Sequence, residues 1–151
     1  MDNYKEFFIT RKGYKDYLSL RVYKTNKAMY AGCKKTDKHY KYNSPSVPDA
    51  GAFFFPSPVS KCNKTYSETT AEMYGIILLN EEELVYDLIA HECLHASIAH
   101  DRIINRYMND YYNENGEEEK LCCYFQWLFA NVIYALKDEG YKIKITIRGL
   151  D

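Results

Sequence analysis

Apolar and polar positions change period several times along the chain, and each change predicts an element. Lys5–Thr10 is rich in strand formers, and Gly13 punctuates the chain after it. From Tyr17 to Thr25 the pattern alternates. Leu18, Leu20 and Val22 fall on one side and Ser19, Arg21 and Tyr23 on the other, which is the period of a half-buried strand. Asn26-Lys27 reads as a tight turn into a third strand over Ala28–Cys33, so that the three segments form an antiparallel meander. Lys34–Asp49 is polar and holds Pro45 and Pro48, the pattern of a long loop. Ala52–Phe55 predicts a strand stopped by Pro56 and Pro58, with a second polar loop from Ser57 to about Thr70. Both alternating sets over Ala71–Leu79 are largely apolar, which marks an inner strand.

Helical spacing follows. Asn80 with Glu83 resembles a capping box, and Glu81, Glu82 and Glu83 suit the positive end of a helix running to about Tyr107. Leu84, Leu88, His91, His95 and Ile98 lie near one another on its surface and predict a stripe facing the interior. After the break at Asn113–Gly116, a second helix is expected from Glu117 to Lys137, ended by Gly140. Its core stripe is Leu121, Phe125, Leu128, Phe129, Val132 and Leu136. Tyr141–Arg148 alternates cleanly and predicts a last strand. These elements make one α+β domain over residues 1–151, with an antiparallel or mixed sheet packed against two helices.

The bulk properties remove several function classes. The formal net charge is -1 with both signs interspersed, so nothing calls for nucleic acid or an anionic membrane. No apolar run approaches the roughly 20 residues of a membrane span. Phe7-Phe8-Ile9 is too short for a signal peptide, and a cytoplasmic protein is expected. The five cysteines form no CxxC pair, which fits reduced and mostly buried thiols. The sixteen tyrosines suggest an AT-rich genome as readily as a function.

The chemistry is concentrated in His91-Glu92-Cys93-Leu94-His95. A helix turns about 100° per residue, so imidazoles at i and i+4 aim at one point. Glu92 lies beside them, where a carboxylate can take a proton from a metal-activated water; this is the donor arrangement of a zinc hydrolase. A catalytic zinc needs a third protein ligand. His100 is about 180° from His91 on a continuous helix and reads as a surface histidine near Asp101. Of the glutamates at the start of the second helix, Glu118 and Glu119 are both candidates, whereas Glu117 points more to solvent. Cys93 reads as a small buried residue, and the adjacent Cys122 and Cys123 face different directions. Tyr107, Tyr111 and Tyr112 follow the motif and are candidate oxyanion donors.

The motif, followed by Glu119-Lys120-Leu121-Cys122-Cys123, resembles the gluzincin pattern of HExxH with a downstream glutamate on a second helix. The run Glu119, Cys122, Tyr124, Trp127 is similar to small HExxH proteins of phages and prophages, and more distantly to ImmA/IrrE-type metallopeptidases. The resemblance spans about Gly75 to Leu136 and departs from the pattern at Cys123. It implies a minimal zincin-like fold and a zinc ion held by His91, His95 and Glu119, with Glu118 next in line. It also implies Glu92 as general base and a peptide or protein substrate. Glu92 argues for catalysis, since a structural site has no use for a base; the alternative is a catalytically silent metal-binding or regulatory module on the same fold. Strand addition of a peptide is expected at Phe53–Phe55 or at the Met73–Leu79 strand.

Overall fold

A computed structural model describes residues 3–40, 51–56, 72–104 and 117–145. These form strands β1 (Tyr4–Thr10), β2 (Asp16–Tyr23), β3 (Ala52–Pro56) and β4 (Glu72–Asn80), and helices α1 (Asn26–Tyr40), α2 (Tyr86–Ile104) and α3 (Glu117–Asp138). The strands make one mixed sheet in the order β1-β2-β4-β3. β1 and β2 are antiparallel, β2 and β4 parallel, and β3 runs antiparallel to β4 at one edge. The α+β class and the mixed sheet are as the sequence predicts; the meander is not, because β4 takes the place beside β2.

Alternation along the strands creates two cores. Leu18, Leu20, Val22, Ile77 and Leu79 pack with Ile89, Cys93 and Ala96 of α2 and with Leu128, Val132 and Leu136 of α3. On the opposite face Tyr23, Ile76, Leu78 and Phe55 pack with Met29 and Cys33 of α1. β4 is apolar on both sides because both sides are covered. Its register slips where Tyr17 pairs with Met73 and Leu18 with Gly75. Tyr74 is the extra residue of this bulge, and the bulge turns its ring to the α2 and α3 side, one place out of step with Ile76 and Leu78.

The expected third strand over Ala28–Cys33 is instead the body of α1, which continues through the first part of the expected loop to Tyr40. Thr25 starts it, its Oγ1 accepting from the Ala28 N–H at 3.1 Å. Met29, Cys33 and Thr36 are buried at spacings of four and three, the inward face of a helix. A short apolar run does not distinguish strand from helix. Parallel pairing of β2 and β4 decides the matter, since it needs a crossover rather than a hairpin. The rest of the two expected loops, over 41–50 and 57–70, lies outside the described residues.

Asn80 caps as expected, but what it caps is a single 3₁₀ turn, Glu81–Glu83: its Oδ1 accepts from the Glu83 N–H at 3.0 Å. α2 therefore begins at Tyr86, and it is described to Ile104. α3 ends as expected at Gly140, whose φ of 92° lies in the left-handed region. The bonds Gly140 N to Lys137 O (3.0 Å) and Tyr141 N to Leu136 O (3.0 Å) complete a Schellman cap. Over its described residues, 141–145, the expected final strand makes one isolated bridge. Lys144 pairs in parallel with Val85 ahead of α2, through Lys144 N to Leu84 O (2.9 Å) and Tyr86 N to Lys144 O (3.1 Å). That segment docks beside a helix start rather than on a sheet edge, and 146–148 lie outside the described residues. No helix among the described residues is long and apolar enough to cross a membrane.

Candidate metal centre

The face that α2 turns inward is Ile89, Cys93, Ala96 and His100, spaced four, three and four. His91 and His95 lie on the opposite, exposed face with Leu94. This corrects the expected stripe, in which the histidines faced the interior with Leu84, Leu88 and Ile98. The two stripes differ by a rotation of about 200° about the helix axis, two residue steps, and Ile89 rather than Leu88 is fully buried. The cost of burying two imidazoles therefore plays no part in explaining the motif.

What the helix does provide is convergence. The His91 and His95 Nε2 atoms stand 3.1 Å apart, with ring centroids at 4.8 Å and planes at 75°. Two nitrogens bound to one tetrahedral zinc at about 2.0–2.1 Å would lie about 3.3–3.4 Å apart. The pair is thus within a few tenths of an ångström of a chelating geometry, and its donors are the borderline-soft nitrogens that zinc favours. The His95 pKa is pushed down by burial and by the neighbouring His91 ring, which keeps a lone pair available.

Glu92 sits one step round the helix and is only 6% exposed. Burial pushes its carboxyl up to about 7, in the range of a group that exchanges protons near neutrality. Cys93 is fully buried, as expected, and desolvation pushes its thiol up to about 12, so it offers no thiolate. Ser97 donates to the Cys93 carbonyl at 2.7 Å within the same helix.

Glu118 and Glu119 both lie in the first turn of α3, with exposed side chains. Glu119 shares its outer face with Cys122, Cys123 and Gln126, and the Cys123 Sγ is 3.6 Å from its Oε1. The two cysteines are exposed, unlike the buried thiols expected. The inner face carries the expected stripe: Leu128, Val132 and Leu136 are buried, and Leu121, Phe125 and Phe129 partly so. Among the described residues no group of three or more His, Cys, Asp or Glu side chains is close enough to hold a metal. The histidines supply two donors; neither Glu118 nor Glu119 completes a triad with them in this conformation. The side chain of Glu117 and the residues Tyr107, Tyr111 and Tyr112 are outside those described.

The larger polar assembly lies elsewhere, around His100, which is buried rather than on the surface. Its Nε2–H donates to Asp16 Oδ2 at 3.0 Å, and Arg11 Nη2 lies 3.4 Å from the same oxygen and 3.2 Å from the ring nitrogen. Tyr124 of α3 stacks on the imidazole at 3.9 Å between centroids and 9° between planes. Tyr74 meets the ring edge-on at 4.9 Å, and its hydroxyl is hydrogen-bonded to that of Tyr124. For Asp16 burial opposes ionisation, but the His100 hydrogen bond and the charges of His100 and Arg11 outweigh it and hold the carboxyl below its ordinary value. For His100 burial wins over the upward pull of Asp16, and the imidazole is held below its ordinary value. Asp16 is therefore ionised and His100 neutral near pH 7. The four-three-four stripe ending at His100 was the sequence signal for its burial; its partners come from three distant segments and left none.

Comparison with protein-family models, with curated proteins and with solved structures finds no match for this chain.

Proposed function

We propose that this chain is a zinc-dependent peptidase with a zincin-like arrangement of sheet, motif helix and second helix. The observation that carries the reading is the 3.1 Å approach of His91 and His95 Nε2 on an exposed face, next to a buried carboxyl at Glu92. His91 and His95 are the two nitrogen ligands, and Glu119, with Glu118 as the alternative, is the third. Zinc bound there supplies Lewis acidity toward a water and a scissile carbonyl. Glu92 takes a proton from the attacking water and returns it to the leaving amine, a role its raised pKa suits. β3, antiparallel at the sheet edge and packed close to α2, is the strand on which an extended peptide would be held.

The decisive experiment measures zinc content and hydrolysis of a peptide library together. The wild type is expected to hold about one zinc, lost in His91→Ala and His95→Ala, as a three-ligand site requires. Glu92→Gln is expected to keep the metal and lose roughly 10²–10⁴-fold in hydrolysis. Wild type without zinc sinks the metal reading. Equal hydrolysis by wild type and Glu92→Gln sinks the peptidase reading and leaves the second one, a metal-binding or regulatory module. Glu118→Gln and Glu119→Gln, made singly, assign the third ligand.

A further inference from the structure

The cluster around His100 contains more ionisable chemistry than a packing contact needs. His100 and Asp16 are each 3% exposed, and the imidazole meets both the sheet and α3. Arg11 comes from the β1–β2 connection, Asp16 from the start of β2, Tyr74 from the β4 bulge and Tyr124 from α3. Asp101 follows on α2 itself, and the Cys93 thiol lies two turns earlier, protonated. Arg11 also lies over the rings of Tyr14 (3.8 Å), Tyr124 (5.1 Å) and Trp127 (5.9 Å), so the guanidinium closes the cluster toward α3.

We propose that the Asp16–His100 pair, covered by Tyr124 and flanked by Arg11, is an acid-sensitive lock that joins α2 to β2 and to α3. With His100 neutral, Asp16 and Arg11 balance each other and the Nε2–H has its acceptor. Protonation of His100 adds a second cation to a buried site, with the Arg11 Nη2 at 3.2 Å from the ring nitrogen. Asp16 and the nearby Asp101 offset part of that charge; the guanidinium and the loss of hydration oppose it, and the net direction is toward the neutral ring. The sign follows. A histidine whose folded pKa is depressed contributes stability that is complete above its ordinary value of about 6.5 and is lost as pH falls from there toward the folded value. The Asp16 carboxyl lies below its ordinary range and stays ionised through that interval, so of the two partners in the pair His100 is the one that changes. Opening the lock frees Tyr124 from its stack and loosens α3 from α2. This holds whether or not the chain binds a metal.

Trp127, the one tryptophan of the chain, is a built-in reporter, 5.6 Å from the Tyr124 ring. The full-length protein is titrated from about pH 7.5 to about 4.5, bracketing the ordinary imidazole value, with Trp127 emission, near-ultraviolet and far-ultraviolet circular dichroism recorded together. The expected result is a shift in emission and a loss of near-ultraviolet signal, centred below pH 6.5, with helix content retained. His100→Phe, which keeps a ring under Tyr124, should be flat over the same range. A double variant, His91→Ala with His95→Ala, should keep the transition. The proposal is overturned by no transition in wild type, by an unchanged transition in His100→Phe, or by its loss in the double variant. Should His100→Phe fail to fold, the ring-proton resonance of His100 in the wild type decides: a midpoint below 6.5 supports the lock, and one at or above 6.5 overturns it.

Discussion

Gly32 gives the sharpest test of how α1 is held on the sheet. It lies within the helix, and a Cβ added there would fall 2.1 Å from Tyr23 Oη, 2.5 Å from Cζ and 2.9 Å from Cε1. Two effects of Gly32→Ala oppose each other. Alanine is the better helix residue by about 1 kcal/mol. Against that, forcing a methyl into a packed site costs about 1–3 kcal/mol. Tyr23 decides the sign. It is 4% exposed, its ring meets Tyr4 at 5.0 Å, and it belongs to the same core as Met29 and Cys33. A side chain so enclosed gives way only if α1 lifts from the sheet. With the added Cβ only 2.1 Å from Oη, the packing cost lies in the upper part of that range, about 2–3 kcal/mol; less the propensity gain of about 1 kcal/mol, Gly32→Ala is expected to be destabilised by about 1–2 kcal/mol. With a urea slope near 2 kcal/mol/M the midpoint falls by roughly 0.5–1 M. Urea unfolding followed by circular dichroism measures this. In a Tyr23→Leu background the obstructing atoms are gone, and the same change should be neutral or stabilising by up to about 1 kcal/mol. A Gly32→Ala protein as stable as wild type, or an equal cost in both backgrounds, would refute the placement of α1 over Tyr23.

Asn80 is fully buried and works twice, accepting from the Glu83 N–H and donating through Nδ2 to the Gly51 carbonyl at 3.0 Å. Asn80→Ala should cost about 2–3 kcal/mol in thermal or urea unfolding, since a buried acceptor is left without its donor; a loss under about 0.5 kcal/mol would contradict this. Among the described cysteines, Cys122 and Cys123 are exposed, whereas burial pushes Cys33 and Cys93 up to about 12. Thiol-reagent titration of the native protein should modify the first two within minutes and reach the other two only on unfolding, and rapid native modification of Cys93 would break the account of the α2 core.

How far the sequence led depended on whether a signal was local. β2 and β4 were legible because alternation is a property of a few neighbouring residues, and α3 because its stripe from Leu121 to Leu136 repeats over about four turns and the helix ends in a glycine with the right backbone. Ala28–Cys33 was not, since an apolar pair, a tyrosine and a glycine satisfy either period until a tertiary partner chooses. The parallel β2–β4 pairing is that partner, and it is non-local. At the motif, spacing alone brought His91 and His95 together correctly, because i and i+4 meet on any helix. Which face of the helix they occupy depends on the sheet beneath it. The bulge hid Tyr74 in the same way: a strand read with strict period two sends that ring to α1, whereas the extra residue sends it to His100.

The central position of β4 has a kinetic consequence. Asp16 pairs with Glu72, 56 positions later in the chain, and both faces of the sheet are completed through β4. During synthesis the β1–β2 hairpin and α1 leave the ribosome long before the strand that covers their apolar sides. Until then the edge of β2 that will receive β4 is an open template, available to a second nascent chain as well as to its own. Such a topology folds late and at once rather than in stages, with a rate limited by closing that long loop. Expression at lower temperature, or slower translation before β4, would act on this interval and leave the finished protein's stability unchanged.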